Sequence, residues 1–475
     1  GGLIMGVHGI ISYGAYIPRG SLLRSSIVEF TGKGSNKGSR SVASYDENTT
    51  TMGVEAARNA LKGSEINPKK LWFSTVVPAY MDKTNATNIH SALQLDDFVE
   101  AVDFGNSTRS AMGALSNALE SDDSTLVVTA DLRTGPSGGT EESSGGDAST
   151  ALLIGTDKQG VLLAEYLGGV AITSDFTDRW RVPGSSYSQV WEERFGEQAY
   201  KPLVDRAWSE ALKKLDIKTE DISVALVSGL HSRAVARSIP SLDVDISNDL
   251  TDQIGNTGAA HPSLLLANFL DQAKPNEIVA LIVLADGCDV LFFRTTQEVE
   301  NRRNSFPVSE QIENQSPVPY SKYLSWRGLL DSQLPNRPSP TRPSSSAAMR
   351  RNDWKMGFVA SKDATTGIVH MPPSRIGIKG GEVDDMEHLP MADSIGTIET
   401  FTVDNLVYSP NSPVVFAVVN FEDGGRLPVE LTDTDPEKIE IGDRVEMTFR
   451  CLYTADGIHN YFWKARPIRR EREKS

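Results

Sequence analysis

Apolar and polar positions follow two different rhythms along this chain. As far as residue 296, short apolar runs alternate with stretches of 3.6-residue periodicity, as expected for buried strands and the helices that cover them. VHGIISYGAYI (7–17) predicts an opening strand, 51–61 an amphipathic helix and KLWFSTVV (70–77) a buried strand. A short apolar run from 101 leads into a helix over 108–120, then a strand over 125–130. A Gly/Ser-rich loop (134–146) and a strand over 148–154 follow. The next stretch resembles the first: helix 197–215, strand 224–228, helix 262–273, strand 277–285, a turn at Asp286-Gly287 and strand 289–295. TLVVTAD…ALLIG and IVALIVLADG…VLFFR share one ending, so the pattern predicts an internal duplication of two βα halves, each finishing on a hairpin. A single irregular doubly wound sheet is the alternative.

After 296 the rhythm changes. Residues 297–333 are mixed, with an apolar helical piece near 320–330, and LPNRPSPTRPSSSAA (334–348) has the composition of a linker. From 396 onward, short alternating strands recur about every ten residues, predicting a small five-stranded barrel. The expected divisions are therefore 1–160 and 161–296 for the two α/β halves, 297–352 for the linker, 353–395 for an intermediate segment and 396–475 for the barrel.

Composition narrows the function classes. At 475 residues the chain exceeds one ordinary core, and 39% hydrophobic with 23% charged residues suits a globular protein. A formal charge of −16 speaks against general binding of nucleic acid or anionic membranes, although a local basic patch could hold a phosphate-bearing ligand. Cys288 and Cys451 alone make neither a disulfide framework nor a cysteine-built zinc site. Without a membrane-length apolar run or a charged-then-apolar leader, the expected location is cytoplasmic.

Candidate chemistry centres on AVDFGNSTRSAMGAL (101–115). A strand-to-helix turn of this shape presents a side chain to a pocket, with backbone N–H groups behind it able to hold an oxyanion. It offers Ser107, Thr108 and Ser110; the bland alternative is a hydroxyl that caps the helix. His231, in SGLHSRAV, follows a predicted strand and is expected to face the crevice. Asn256 sits in GNTGAA, where Gly255 and Gly258 permit close backbone approach. A hydrogen-bonded buried histidine and a turn asparagine are the competing readings of these two. His261 is expected to be structural. The glycine-rich stretch from Arg133 to Gly139 lacks a P-loop lysine and reads as a flexible loop near a pocket mouth or an interface.

Four segments, GIISYGAYIPRG, AVDFGNSTRSAMGAL, SGLHSRAVARS and GNTGAAHPSLLLANFLD…IVLADGCDVLFF, resemble the ketoacyl-ACP synthase III and HMG-CoA synthase branch of the thiolase superfamily. The resemblance implies a duplicated α/β/α/β/α fold, a homodimer, acyl-CoA or acyl-carrier substrates and Claisen-type carbon–carbon chemistry. It places the family's cysteine nucleophile at Thr108, its histidine at His231 and its oxygen-binding asparagine at Asn256, with Ser107, Gly255 and Gly258 as substrate-binding positions. The catalytic glutamate of HMG-CoA synthases falls among Val76, Val77 and Pro78, none of them acidic.

The C-terminal region resembles the OB-fold proteins that accompany thiolase-type enzymes, which usually begin with a zinc ribbon. Here the four ligand positions read Asp363, Thr366, Gly377 and Gly380, and His370 and His388 are too few to replace them, so no zinc and no other cofactor is expected. Together the resemblances imply an acyl-CoA-binding component whose own nucleophile is replaced and whose OB-fold bridges to a thiolase-family acetyltransferase. Two alternatives are a retro-aldolase acting on a β-hydroxyacyl-CoA, with His231 as base, and a non-catalytic binding module. Aromatics at Tyr453, Tyr461, Phe462 and Trp463 could stack bases but are more simply barrel core.

Overall fold

A computed structural model describes residues 6–468. They form two compact units: unit 1 comprises 6–43, 55–87 and 97–324, and unit 2 comprises 44–54, 88–96 and 325–468. Among the described residues no helix is long and apolar enough to cross a membrane.

Unit 1 is built on a nine-stranded sheet that reads as two copies of one topology. In the first half the strands are β1 (His8–Tyr16), β2 (Lys70–Thr75), β3 (Glu100–Gly105), β4 (Thr125–Leu132) and β5 (Asp147–Thr156). The second half holds β6 (Ala164–Thr173), β7 (Val224–Gly229), β8 (Ile278–Leu284) and β9 (Gly287–Thr295). Outward from the middle the first half runs β1-β5-β4-β2-β3 and the second β6-β9-β8-β7. An isolated parallel bridge from Ala225 to Ile246 stands where β3 stands in the first half. β2 is parallel to β3 and β4, β7 is parallel to β8, and each half closes on an antiparallel pair, β4 with β5 and β8 with β9. The halves meet where Gly9 and Ile10 of β1 pair with Glu165 and Ala164 of β6. The duplication expected from sequence is thus present. The strand it lacked is β6, the counterpart of β1.

Helices fill the layers. α1 (Thr49–Leu61) reaches β1 where Gly14 leaves room for the backbone of Ala56, Asn59 and Ala60. α2 (Thr108–Leu119) buries Ala111, Met112, Ala114, Leu115, Ala118 and Leu119, the recurrence of a helical apolar stripe. α3 (Glu193–Leu215) and α4 (Ser232–Ser238) follow, and α5 (His261–Leu270) is buried on nearly all sides. One hydrophobic cluster joins α2 and α5 to strands of both halves, and a second joins α3 and α4 to β7, β8 and β9. One large mixed sheet packed with helices agrees with the thiolase-like α/β class that the family resemblance implies. Residues 297–324, assigned from sequence to the 297–352 linker, pack within unit 1: Gln311 is fully buried and binds the backbone of Ala15, Ile17 and Phe306.

Unit 2 holds a three-stranded sheet of β10 (Val359–Asp363), β11 (Val369–His370) and β12 (Met386–Pro390). A five-stranded barrel follows: β13 (Gly396–Asp404), β14 (Val414–Phe421), β15 (Arg426–Glu430), β16 (Arg444–Ala455) and β17 (Ile458–Pro467), ordered β15-β14-β13-β16-β17. A bridge from Leu431 to Ala465 links the two ends of that order. Phe449, Tyr461 and Trp463 are buried against one another, so these aromatics are core. In the ribbon-like segment, Asp363 accepts the backbone N–H of Thr365 at 3.0 Å and of Thr366 at 2.7 Å. A Cβ on Gly377 would lie 1.9 Å from the Asp363 carboxylate and 3.2 Å from the Gly380 carbonyl. The segments around Asp363 and around Gly377 and Gly380 therefore converge, and the Asp363 carboxylate gathers the amide groups of its own turn. Among the described residues no cluster of His, Cys, Asp and Glu has the makings of a metal site.

A network of charges lies inside unit 2. Asp46 pairs with Arg450 at 2.8 Å and Lys464 at 3.1 Å, all three with no side-chain exposure. Arg450 also meets Asp433 at 2.6 Å and Glu47 at 3.3 Å, and Lys464 meets Glu430. The Lys464 and Arg450 cations, with a hydrogen bond from Thr432, outweigh burial and hold the Asp46 carboxyl down at about 2.

Candidate functional site

The site is built where strand ends and helix starts of the two halves converge. At the end of β3, Asn106 takes a left-handed backbone (φ 82°) and turns the chain into α2. Ser107 is the N-cap with an extended backbone, yet its side chain caps nothing; its hydroxyl lies 3.4 Å from that of Ser110, which donates to the Gly105 carbonyl. Thr108 is the first helical residue, and among the described residues its hydroxyl has no hydrogen bond. The helix-capping alternative therefore has no bond behind it at either residue.

Thr108 and Ser107 line a cavity of about 600 Å³ together with Val76, Val77 and Pro78 at the end of β2, and with His231 at the end of β7. His231 also lines a second cavity, of about 650 Å³, which contains Asn256 and His261. Arg133, Asp178, Arg179, Ser188, Leu230 and His231 form the wall common to both. His231 thus shares one cavity with Thr108 and the other with Asn256. Gly255 and Gly258 line neither.

His231 is the N-cap of α4, and its Nδ1 accepts the Ala234 N–H at 3.1 Å. That bond places the ring hydrogen on Nε2, which is buried and has no partner among the described residues. Nε2 lies against the Gly196 backbone of α3, where an added Cβ would come within 2.4 Å of it. Asn256 is more fully occupied. Its Nδ2 donates to the Gly229 carbonyl at 3.0 Å and its Oδ1 accepts the Gly258 N–H at 2.9 Å, leaving one amide hydrogen.

The two glycines make this turn possible. Gly255 (φ 75°) approaches the Gly145 carbonyl so closely that a Cβ would lie 2.1 Å from it, and a Cβ on Gly258 (φ 58°) would lie 2.1 Å from the Asp131 carboxylate. Asp131, fully buried at the end of β4, accepts the Thr75 hydroxyl, the Val76 N–H at 2.9 Å and the Ala259 N–H at 2.8 Å. It therefore ties the end of β2 to the glycine turn, and burial pushes its carboxyl up against the opposing pull of Arg133. His261, which lines the second cavity, is buried; its Nδ1 accepts the Thr257 N–H at 3.2 Å, and burial drives its imidazole down to about 4.

Arg133, from the loop expected near a pocket mouth, lines both cavities, whereas Arg179, Arg181, Asp178, Tyr200 and Asp286 were not anticipated from sequence. Arg133 meets Glu141 at 3.2 Å and Asp131 at 3.6 Å, and Arg179 grips both Glu141 oxygens at 2.6 Å. Arg181 donates to the Val76 carbonyl. Asp178, Tyr200 and Asp286 complete the first cavity. The available signal was TDRWRVPG, where two arginines flank a tryptophan just after the first strand of the second half.

Comparison with known proteins agrees with this geometry. Residues 390–450 match the family described as ChsH2, C-terminal OB-fold domain. Hydroxymethylglutaryl-CoA synthase of Methanopyrus kandleri is 28% identical over 344 residues, covering 68% of this chain and 97% of its own length. That of Pyrococcus furiosus is 28% identical over 336 residues, covering 67% and 95%. Among solved structures, an HMG-CoA synthase complexed with CoA superposes with a TM-score of 0.59 at 16% identity, covering 71% of this chain and 94% of that one. Aquifex aeolicus 3-oxoacyl-[acyl-carrier-protein] synthase III gives a TM-score of 0.52 at 16% identity, covering 60% and 99%. This chain therefore joins a thiolase-fold, HMG-CoA synthase-like body to a C-terminal OB-fold domain of the ChsH2 type.

Proposed function

We propose that unit 1 binds an acyl-CoA thioester and serves as the condensing-type component of a thiolase-type, carbon–carbon bond forming complex. In this reading Thr108 occupies the nucleophile position without forming an acyl-enzyme, a separate thiolase supplies the cysteine, and the OB-fold bridges to it. The observation that carries the reading is that Thr108, at the N-terminus of α2, and His231 line one cavity. The N-terminal amides of α2 can polarise a thioester oxygen. A threonine hydroxyl stays protonated near neutral pH and needs an adjacent base to attack. His231 Nδ1 is engaged by Ala234, and Val76, Val77 and Pro78 carry no acid. Asp178 and Asp286 also line the cavity, but among the described residues neither is hydrogen-bonded to the Thr108 hydroxyl, and binding without acylation is the expected outcome. The likeness to HMG-CoA synthases supports the CoA ester as ligand; the bridging role is what the resemblance of the C-terminal region to OB-fold companions of thiolase-type enzymes implies.

We also propose a homodimer. β3 is an edge strand paired on one side only, to β2, among the described residues, and its Val102 is 38% exposed. An apolar edge of this kind invites pairing with a second copy.

The purified chain is expected to bind acetyl-CoA in calorimetry, to remain unacylated by intact mass, to make no HMG-CoA from acetyl-CoA and acetoacetyl-CoA, and to run as a dimer in light scattering. Condensation at an ordinary enzymatic rate by the chain alone would end the proposal. If no CoA ester binds, a binding module acting through its protein contacts remains.

One observation favours retro-aldol cleavage as a second reading. Asp286 lines the Thr108 cavity, and burial together with Asp178 raises its carboxyl above the usual range, a suitable state for a proton-transferring group. Here Asp286 would take the role of base and His231 that of oxygen donor. Release of an aldehyde or ketone from β-hydroxyacyl-CoA esters, abolished by Asp286→Asn, is the required result.

A further inference from the structure

Three guanidinium groups line the Thr108 cavity, and their surroundings differ. Arg133 and Arg179 share Glu141, and Arg133 also reaches Asp131. Arg181 has no carboxylate within ion-pair distance among the described residues; its hydrogen bond is to the main-chain carbonyl of Val76. A guanidinium carries five N–H donors, so most of its donor capacity is left over. The acidic lining residues Asp178 and Asp286 act on Tyr200, while the charges that act on Arg181 are those of Arg133 and Asp131. Burial and the like charge of Arg133 both disfavour the Arg181 cation, and Asp131 offsets them only in part. Asp131 is itself engaged by Thr75, Val76 and Ala259.

The cation sits at a telling place. Val76, the residue after β2, lines the same cavity as Thr108, His231 and Arg181, and its roughly 600 Å³ is large enough for an acyl chain. We propose that Arg181 is a specificity-determining residue that reads a free carboxylate at the far end of the acyl group, so the cavity selects the CoA thioester of a dicarboxylic acid over a neutral chain of equal length. A planar fork of N–H donors matches a carboxylate in two parallel bonds, and an incoming anion would complete a partly buried cation. This inference rests on the acyl-CoA reading above.

The test compares succinyl-CoA with butyryl-CoA, of equal carbon number, by titration calorimetry on the full chain at fixed ionic strength. Succinyl-CoA is expected to bind roughly tenfold or more tightly, the order for charge-assisted hydrogen bonds. In Arg181→Gln the two affinities should converge, through loss of succinyl-CoA affinity while butyryl-CoA affinity holds. The retained butyryl-CoA binding shows that the variant is folded, and Arg181→Lys should recover part of the preference. Equal binding by the native chain, or a preference that survives in Arg181→Gln, overturns the role of Arg181 and leaves the acyl-CoA reading intact. Failure of both esters to bind the native chain overturns both.

Discussion

Thr108→Cys is expected to convert a chain that takes up no acyl group into one that takes up a single acetyl group from acetyl-CoA. The substituted position is the first residue of α2, 7% exposed and in the same cavity as His231. A thiol at a helix N-terminus ionises more readily than a free one, because the partial positive charge of the unpaired N–H groups stabilises the thiolate. Thioester exchange to that thiolate forms one S–acyl bond and releases CoA as thiol, with the N-terminal amides of α2 placed to hold the carbonyl oxygen. Intact-mass spectrometry reads the gain of one acetyl group, and hydroxylamine should remove it. The same variant should make no HMG-CoA, since Val76, Val77 and Pro78 still supply no acid for the aldol-type step. A folded Thr108→Cys chain that stays unacylated would remove Thr108 from the nucleophile position.

The second large effect lies in unit 2. Asp46→Asn leaves Arg450 and Lys464 buried without the anion they share, and removing one member of a buried ion pair costs about 3–5 kcal/mol. Chemical denaturation should show that loss in the transition of the barrel. The native chain should also show an acid limb. The Asp46 carboxyl is held down at about 2 in the folded state against an ordinary value of 3.8. Its contribution is therefore fully present above about 3.8 and is lost as pH falls towards 2. Asp46→Asn should flatten this limb. Equal stability of the two proteins at neutral pH would mean that the network's remaining carboxylates suffice.

Much of this architecture could be read from periodicity. β8 and β9, IVALIVL and GCDVLFFRT, are apolar enough to announce buried strands, and the barrel strands alternate as expected. β6 escaped because AEYLGGVAIT is half-exposed along most of its length and broken by Gly168 and Gly169, so neither alternation nor an apolar run marks it. It is a strand through pairing with β1 and β9, and those are long-range facts. In the site, His231 and Thr108 were legible because local strand-to-helix signals place them. Asp131, Arg179 and Arg181 were not. Their meaning depends on which carbonyl, carboxylate or amide meets them across a turn, and no local pattern records that.

Asp46 and Arg450 are 404 positions apart in sequence. Unit 2 therefore has a part list that begins near the N-terminus and ends near the C-terminus. During synthesis the segment around Asp46 emerges early and then waits for nearly the whole chain before its cations arrive, while unit 1 can assemble from residues already made. Excision at residue 325 would yield a barrel with Arg450 and Lys464 inside and no Asp46 to meet them. In this molecule the fusion is more than a tether between two modules, since the barrel borrows part of its interior from the start of the chain.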